Sequence, residues 1–142
     1  MTILVTGATG NIGRRVVDHL IALGATDIRA LTTDPAKAKL PESVTAVTGY
    51  LGRPETLPAA LHGVRRMYLA PLPATLPTTL ELAEQAGVEY VVALSGGAHW
   101  QQHADTIAAA PLTSTQLGPG EFLEHFTLWA EQIKTTRTVR EP

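Results

Sequence analysis

Near the start of the chain, Gly7-Ala8-Thr9-Gly10-Asn11-Ile12-Gly13 places three glycines at a spacing suited to holding a phosphate. The first glycine lets the backbone turn sharply, the second lets it approach an anion, and the third lets a helix pack closely on a strand. A helix opening there offers unpaired N–H groups and the positive end of its dipole to a pyrophosphate. Gly7, Thr9, Gly10, Asn11, Ile12 and Gly13 are therefore the expected contacts of a dinucleotide. Arg14 and Arg15 follow at once. Arg14 is near enough to meet a phosphate, whereas Arg15 reads as part of a solvated helix face.

A second group that could do chemistry is Ser95, His99, His103 and Asp105. Ser95 ends an apolar run, where an open α/β sheet places its ligands, and its hydroxyl suits a hydrogen bond to nicotinamide or substrate. Satisfying its own loop is an equal reading. Ser95-Gly96-Gly97 is not a nucleophile elbow, because Ala93 stands where Gly-x-Ser-x-Gly needs a glycine. His99 and His103 are four apart, on one helical face, and make candidates for acid–base work. The glutamate of a His-Glu-x-x-His zinc helix is missing, and no metal site is expected. Two surface histidines are the plainer reading. Tyr50, Tyr68 and Tyr90 are not followed by lysine four residues on, so the Tyr-x-x-x-Lys pair of ordinary short-chain dehydrogenases is absent.

The elements that must position these residues follow from periodicity. Thr2–Thr6, Asp27–Thr33, Ser43–Thr48, Arg66–Ala70 and Val88–Ser95 are short apolar runs, read as strands covered on both faces. Between them lie helical segments at 11–23, 36–40, 54–61 and 78–86. In the first, Ile12, Val16, Leu20 and Leu23 form a stripe closed by Gly24. The last third is less regular: a helix at 103–110, a sixth strand at 112–117, and a helix at 120–134. Alternating strands and helices with short connections predict an α/β, doubly wound parallel sheet, Rossmann-like, in three αβα layers and one domain over residues 1–142.

The composition narrows the partners. Eleven basic and thirteen acidic residues leave a net charge of −2, which gives no footprint for nucleic acid or an anionic membrane. The absence of cysteine excludes disulfides and thiol catalysis. The N-terminus has neither the basic nor the apolar region of a signal peptide, so a cytoplasmic setting is expected.

Thr6-Gly7-Ala8-Thr9-Gly10-Asn11-Ile12-Gly13 resembles the NmrA-like, atypical short-chain dehydrogenase/reductase family. That family includes NADPH-dependent quinone reductases and redox-sensing regulators. The resemblance continues at residues 29–35, at Gly49-Tyr50-Leu51 in the place of Gly-Asp-Leu, and at 91–98. Residues 117–125 are similar to a worn Leu-Arg-Pro-Gly-x-Phe signature, with Gly118 in the arginine's place. Family chains are about twice as long, so this reads as a short form without the lobe that covers substrate, either a naturally short relative or a product of truncation.

The resemblance implies that Thr33 lies at the adenosine ribose, that Tyr50 and Leu51 lie near the adenine, and that Pro71 flanks the cofactor. With no carboxylate at Thr33 and with Arg14 close by, NADP(H) is favoured over NAD(H). The expected function is an NADP(H)-dependent oxidoreductase passing hydride to a quinone or similar small carbonyl. The alternatives are a non-catalytic dinucleotide-sensing regulator, or a repurposed scaffold using His99 or His103 without a cofactor. Phe122, Leu123, Phe126, Leu128, Trp129 and Ile133 give the last helix more apolar bulk than one seam uses. A homodimer is expected to cover it, with an interface of ~1,600 Å².

Overall fold

The computed structural model describes residues 1–95, 99–119 and 126–139. Six strands form one parallel sheet: β1 (Thr2–Val5), β2 (Ile28–Thr32), β3 (Val44–Thr48), β4 (Val64–Leu69), β5 (Tyr90–Leu94) and β6 (Thr113–Leu117). Their spatial order is β3-β2-β1-β4-β5-β6, so the direction of winding reverses between β1 and β4. That reversal opens a crevice at the C-terminal ends of the two strands. The helices are α1 (Asn11–Ala22), α2 (Leu57–Leu61), α3 (Leu76–Gln85), α4 (Trp100–Ala109) and α5 (Phe126–Thr136).

Alternation along β1 to β5 supplies apolar side chains to both faces. Leu4, Met67, Leu69, Val91 and Ala93 bury one face beneath Leu57 and Leu61 of α2, Leu76 and Leu80 of α3, and Ile107 of α4. Val5, Ile28, Ala30 and Tyr68 bury the other beneath α1, chiefly under Val17. This is the three-layer α/β arrangement that the continuous apolar strands imply. Arg29 ties the layers together at one end, donating to the carbonyls of Ala60 at 3.1 Å and His62 at 2.6 Å, where α2 ends.

Local departures from the sequence reading have local causes. Leu23 leaves the α1 stripe and is 85% exposed, because it is the C-cap residue, past the last helical turn. Gly24 (φ +83°) and Ala25 close that helix by donating to Ile21 and Leu20 respectively, a Schellman pairing. The helix expected at 36–40 is only a 3-10 turn at Pro35–Lys37, and Lys39 takes a left-handed φ of +47°. β4 starts two residues earlier than Arg66, since Gly63 (φ +71°) makes the turn and Val64 is fully buried. α3 likewise starts at Leu76, with Pro77 in its first turn, after a 3-10 turn at Pro73–Thr75. β5 is shorter than 88–95 because the Val88 N–H is taken by Ala83 at the end of α3. α4 begins three residues before His103. Of the helix expected at 120–134, the described part starts at Phe126; Phe122 and Leu123 lie outside the described residues, as do the side chains of Phe126 and Leu128.

Candidate functional site

The glycine loop joins β1 to α1 at the reversal point. Gly7 turns it with φ +60°, and the Gly10 N–H donates to the Gly7 carbonyl at 2.9 Å. At Gly13 a methyl group would stand 2.1 Å from that same carbonyl oxygen. Only glycine lets α1 approach the loop this closely. Gly10 is the N-cap, makes no side-chain cap, and is followed by no acidic residue in the first turn. The first N–H groups of α1 therefore lack an intrahelical acceptor and meet no competing carboxylate.

Beside this loop is a cleft of about 270 Å³ lined by Gly7, Thr9, Leu31, Thr32, Thr33, Gly49, Tyr50, Leu51, Ala70 and Leu72. It runs from the end of β2, across the end of β1, to the end of β4. Thr6 stiffens its floor: the buried hydroxyl accepts the Ala70 N–H at 2.8 Å, pinning the exit of β4 to that of β1. The helix start could hold a pyrophosphate, and Leu31, Tyr50 and Leu51 could line an apolar ring beside it. The uncapped helix, the forced glycine approach and the adjoining cleft together meet the requirements of a dinucleotide.

Gly7, Thr9, Thr33, Tyr50 and Leu51 all line this cleft, and Gly10, Asn11, Ile12 and Gly13 form the helix start beside it. Ala70 and Leu72 line it in the stretch where Pro71 was expected; Pro71 itself is half-buried beside it. Tyr50 is half exposed, and its ring lies over Gly52, where a methyl would meet it at 2.4 Å. Arg14 is committed elsewhere. Its guanidinium donates to the carbonyls of Lys39 at 3.1 Å and Ala38 at 3.2 Å, clamping the loop after β2. This second task of Arg14, holding a loop 25 residues away, is not visible in the sequence around it. The cation nearest to Thr33 along that loop is Lys37, paired with Asp34 at 2.9 Å.

At the end of β5, Ser95 and His103 are both buried, and Ser95 Oγ lies 2.5 Å from His103 Nδ1. Two residues read as surface histidines thus differ. His99 is exposed and its ring stacks on that of His103, with centroids 5.8 Å apart, whereas His103 is inside. Burial, and secondarily the neighbouring His99, push the His103 pKa below its ordinary value. Among the described residues His103 Nε2 has no hydrogen-bond partner. Asp105 points elsewhere, accepting from Gln101 at 2.8 Å. Gly118 also has a local reason: the Trp100 ring occupies the space a side chain would need, 2.4 Å from its notional methyl. Tyr90 bonds Thr115 across β5 and β6 at 2.5 Å, and Tyr68 is buried in the core with its pKa raised by burial. Packing accounts for both.

Comparison with known proteins agrees with this geometry. A family model described as NAD(P)H-binding matches residues 7–119. The chain belongs to the NAD(P)H-binding family. It is 30% identical to an NAD(P)H azoreductase of Xenophilus azovorans, over 93% of this chain and 52% of that protein. The fold is shared with an NADPH-dependent quinone oxidoreductase of Escherichia coli, solved with NADPH (TM-score 0.82, 24% identity, 92% of this chain and 53% of that one). It is also shared with the triphenylmethane reductase of a Citrobacter species, solved with NADP(H) (TM-score 0.79, 24% identity, 89% and 52%). The chain thus spans about half the length of the relatives it matches.

Proposed function

We propose that this protein is an NADP(H)-dependent oxidoreductase of the NmrA-like type, acting on a quinone or similar small electrophilic carbonyl. The observation that carries the reading is the Gly7–Gly13 loop, whose glycine at position 13 lets α1 pack closely on the loop, so that the uncapped start of the helix stands beside the cleft. A reduced nicotinamide supplies the hydride when it is bound. The chain's own residues do the rest. The α1 N–H groups would hold the pyrophosphate, and Leu31, Tyr50 and Leu51 would line the place of the adenine. The ends of β4 and β5 then carry the nicotinamide half, as expected where winding reverses. A quinone is electrophilic enough to take hydride without a strong protein acid, which accords with the missing Tyr-x-x-x-Lys pair.

Preference for the 2′-phosphate rests on the loop after β2. Arg14 fixes that loop, Thr33 adds no charge, and Lys37 can exchange Asp34 for a phosphate, a stronger, doubly charged partner. A cytoplasmic setting belongs to the same proposal. A homodimer built on α5 is part of the same proposal, since Ile133 is 46% exposed there. The test is oxidation of NADPH on addition of 1,4-naphthoquinone, with NADH in parallel. Turnover with NADPH, slower with NADH, supports the reading; NADPH binding without turnover would favour a sensing role.

A further inference from the structure

The Ser95–His103 pair is poorly explained by stability alone. Whichever ring nitrogen carries the proton, Nε2 is left buried without a partner among the described residues. A buried, unsatisfied polar atom is destabilising. Replacing the imidazole with an aliphatic group would avoid that cost, so the hydrogen bond at Nδ1 has a use.

Its position suggests the use. β4 and β5 pair with Leu69 opposite Ala93, which brings Ser95, two residues on, level with the β4 exit between Ala70 and Leu72 that lines the cleft. α4 is the crossover helix that follows β5, so its first turn stands at the same C-terminal edge of the sheet. His103, one turn in, is the residue of that helix that reaches Ser95. The Ser95 N–H is already engaged, donating to Leu117 of β6 at 2.9 Å. That bond anchors the Ser95 amide, and the hydroxyl proton is left free to rotate.

The geometry points to His103 as a positioning residue for Ser95: its Nδ1–H donates to Ser95 Oγ, turning the serine hydroxyl proton away from α4 toward the C-terminal edge of the sheet beside the cleft, where the proposed nicotinamide half would lie. Resting on the proposed reductase activity, this makes Ser95 the hydrogen-bond donor to the acceptor oxygen that gains negative charge as hydride arrives. No proton leaves the pair; the product is protonated by solvent. In the opposite arrangement, Ser95 would donate to Nδ1 and have no hydrogen left for a substrate. The Nδ1–H form also explains the lonely Nε2, which becomes an unprotonated acceptor rather than a stranded donor. His99, stacked over the ring and exposed, raises the cost of a second positive charge on His103 and helps keep it neutral.

Two readouts on the full chain decide it. Nitrogen-15 NMR of the imidazole rings reports the tautomer without any turnover. The expected result is a neutral His103 protonated at Nδ1 near neutral pH, and a shift of that ring's signals in Ser95→Ala. In 1,4-naphthoquinone reduction, Ser95→Ala and His103→Leu should lower kcat about 100- to 1,000-fold, the range for removing one preorganised donor, with NADPH Kd unchanged. His103→Asn, whose amide places an N–H close to Nδ1, should recover most of the rate. That rescue also serves if His103→Leu folds poorly. A His103 ring protonated at Nε2, or a Ser95→Ala variant with full kcat, overturns the assignment. A wild-type protein that binds NADPH but reduces no quinone overturns the activity itself and, with it, the role at the acceptor.

Discussion

Replacing Gly13 with alanine separates a glycine kept for ligand binding from one kept for a turn. The new methyl would lie 2.1 Å from the Gly7 carbonyl oxygen, 2.6 Å from its carbon and 2.9 Å from the Ala8 Cα. All three are backbone atoms, so no rotamer change relieves them. Ordinary contact starts near 3.4 Å, and helix and loop must part by more than an ångström. Overpacking of this kind costs about 1–3 kcal/mol, or a fall in Tm of roughly 3–10 °C for a chain of this size. The same displacement pulls the α1 N–H groups off a bound pyrophosphate. Hydrogen bonds to a charged partner are worth about 1.5–3 kcal/mol each, so losing one raises the NADPH Kd about 10- to 100-fold. Gly24→Ala is the control. Nothing lies within 4 Å of its notional methyl, but φ is +83°, so it should lose about 1–2 kcal/mol of stability and keep wild-type affinity. Thermal unfolding by circular dichroism and titration of NADPH fluorescence read the two effects. Wild-type NADPH affinity in Gly13→Ala would refute the placement of the pyrophosphate.

Further expectations concern other parts of the molecule. Arg14→Ala frees the carbonyls of Ala38 and Lys39 and should cost about 1–2 kcal/mol in urea unfolding, with protection of the 34–39 amides from hydrogen exchange reduced. Lys37→Ala should weaken NADPH about tenfold by loss of one phosphate contact and leave NADH unchanged; equal effects on both would remove Lys37 from the 2′-phosphate. The folded-state pKa of His103 lies below its ordinary 6.5. The unfolded chain therefore takes up that proton first, and stability should fall as pH drops below 6.5 toward the folded value. Urea midpoints across that range should flatten in His103→Leu, and an unchanged slope would show that His103 is not the group responsible. Light scattering at micromolar concentration should give a two-chain mass, and a one-chain mass would discard the dimer.

The sheet and the glycine turn from β1 into α1 were legible because each rests on a local pattern. Continuous β-branched runs specify strands buried on both sides, and three glycines after such a run specify a tight strand-to-helix turn. What was not legible depends on residues far apart in sequence. Nothing near Arg14 signals that Ala38 and Lys39 claim its guanidinium. The cleft-lining roles of Leu31, Thr32, Gly49 and Ala70 come from strand ends brought together only by the sheet order. His103 looked like His99, four residues earlier, because spacing places both on one helical face but does not say how α4 rolls against β5. Gly118 looked like a damaged signature until Trp100 was seen to fill its side-chain space. Leu23 failed for a smaller reason: periodicity does not mark the residue at which a helix stops.

The central claim is that the Gly7–Gly13 loop holds a reduced dinucleotide, and titrating NADPH into the protein while following its fluorescence tests that most directly. Saturable binding in the micromolar range, with NADH weaker, is the predicted result. No change in fluorescence at millimolar NADPH would contradict the account.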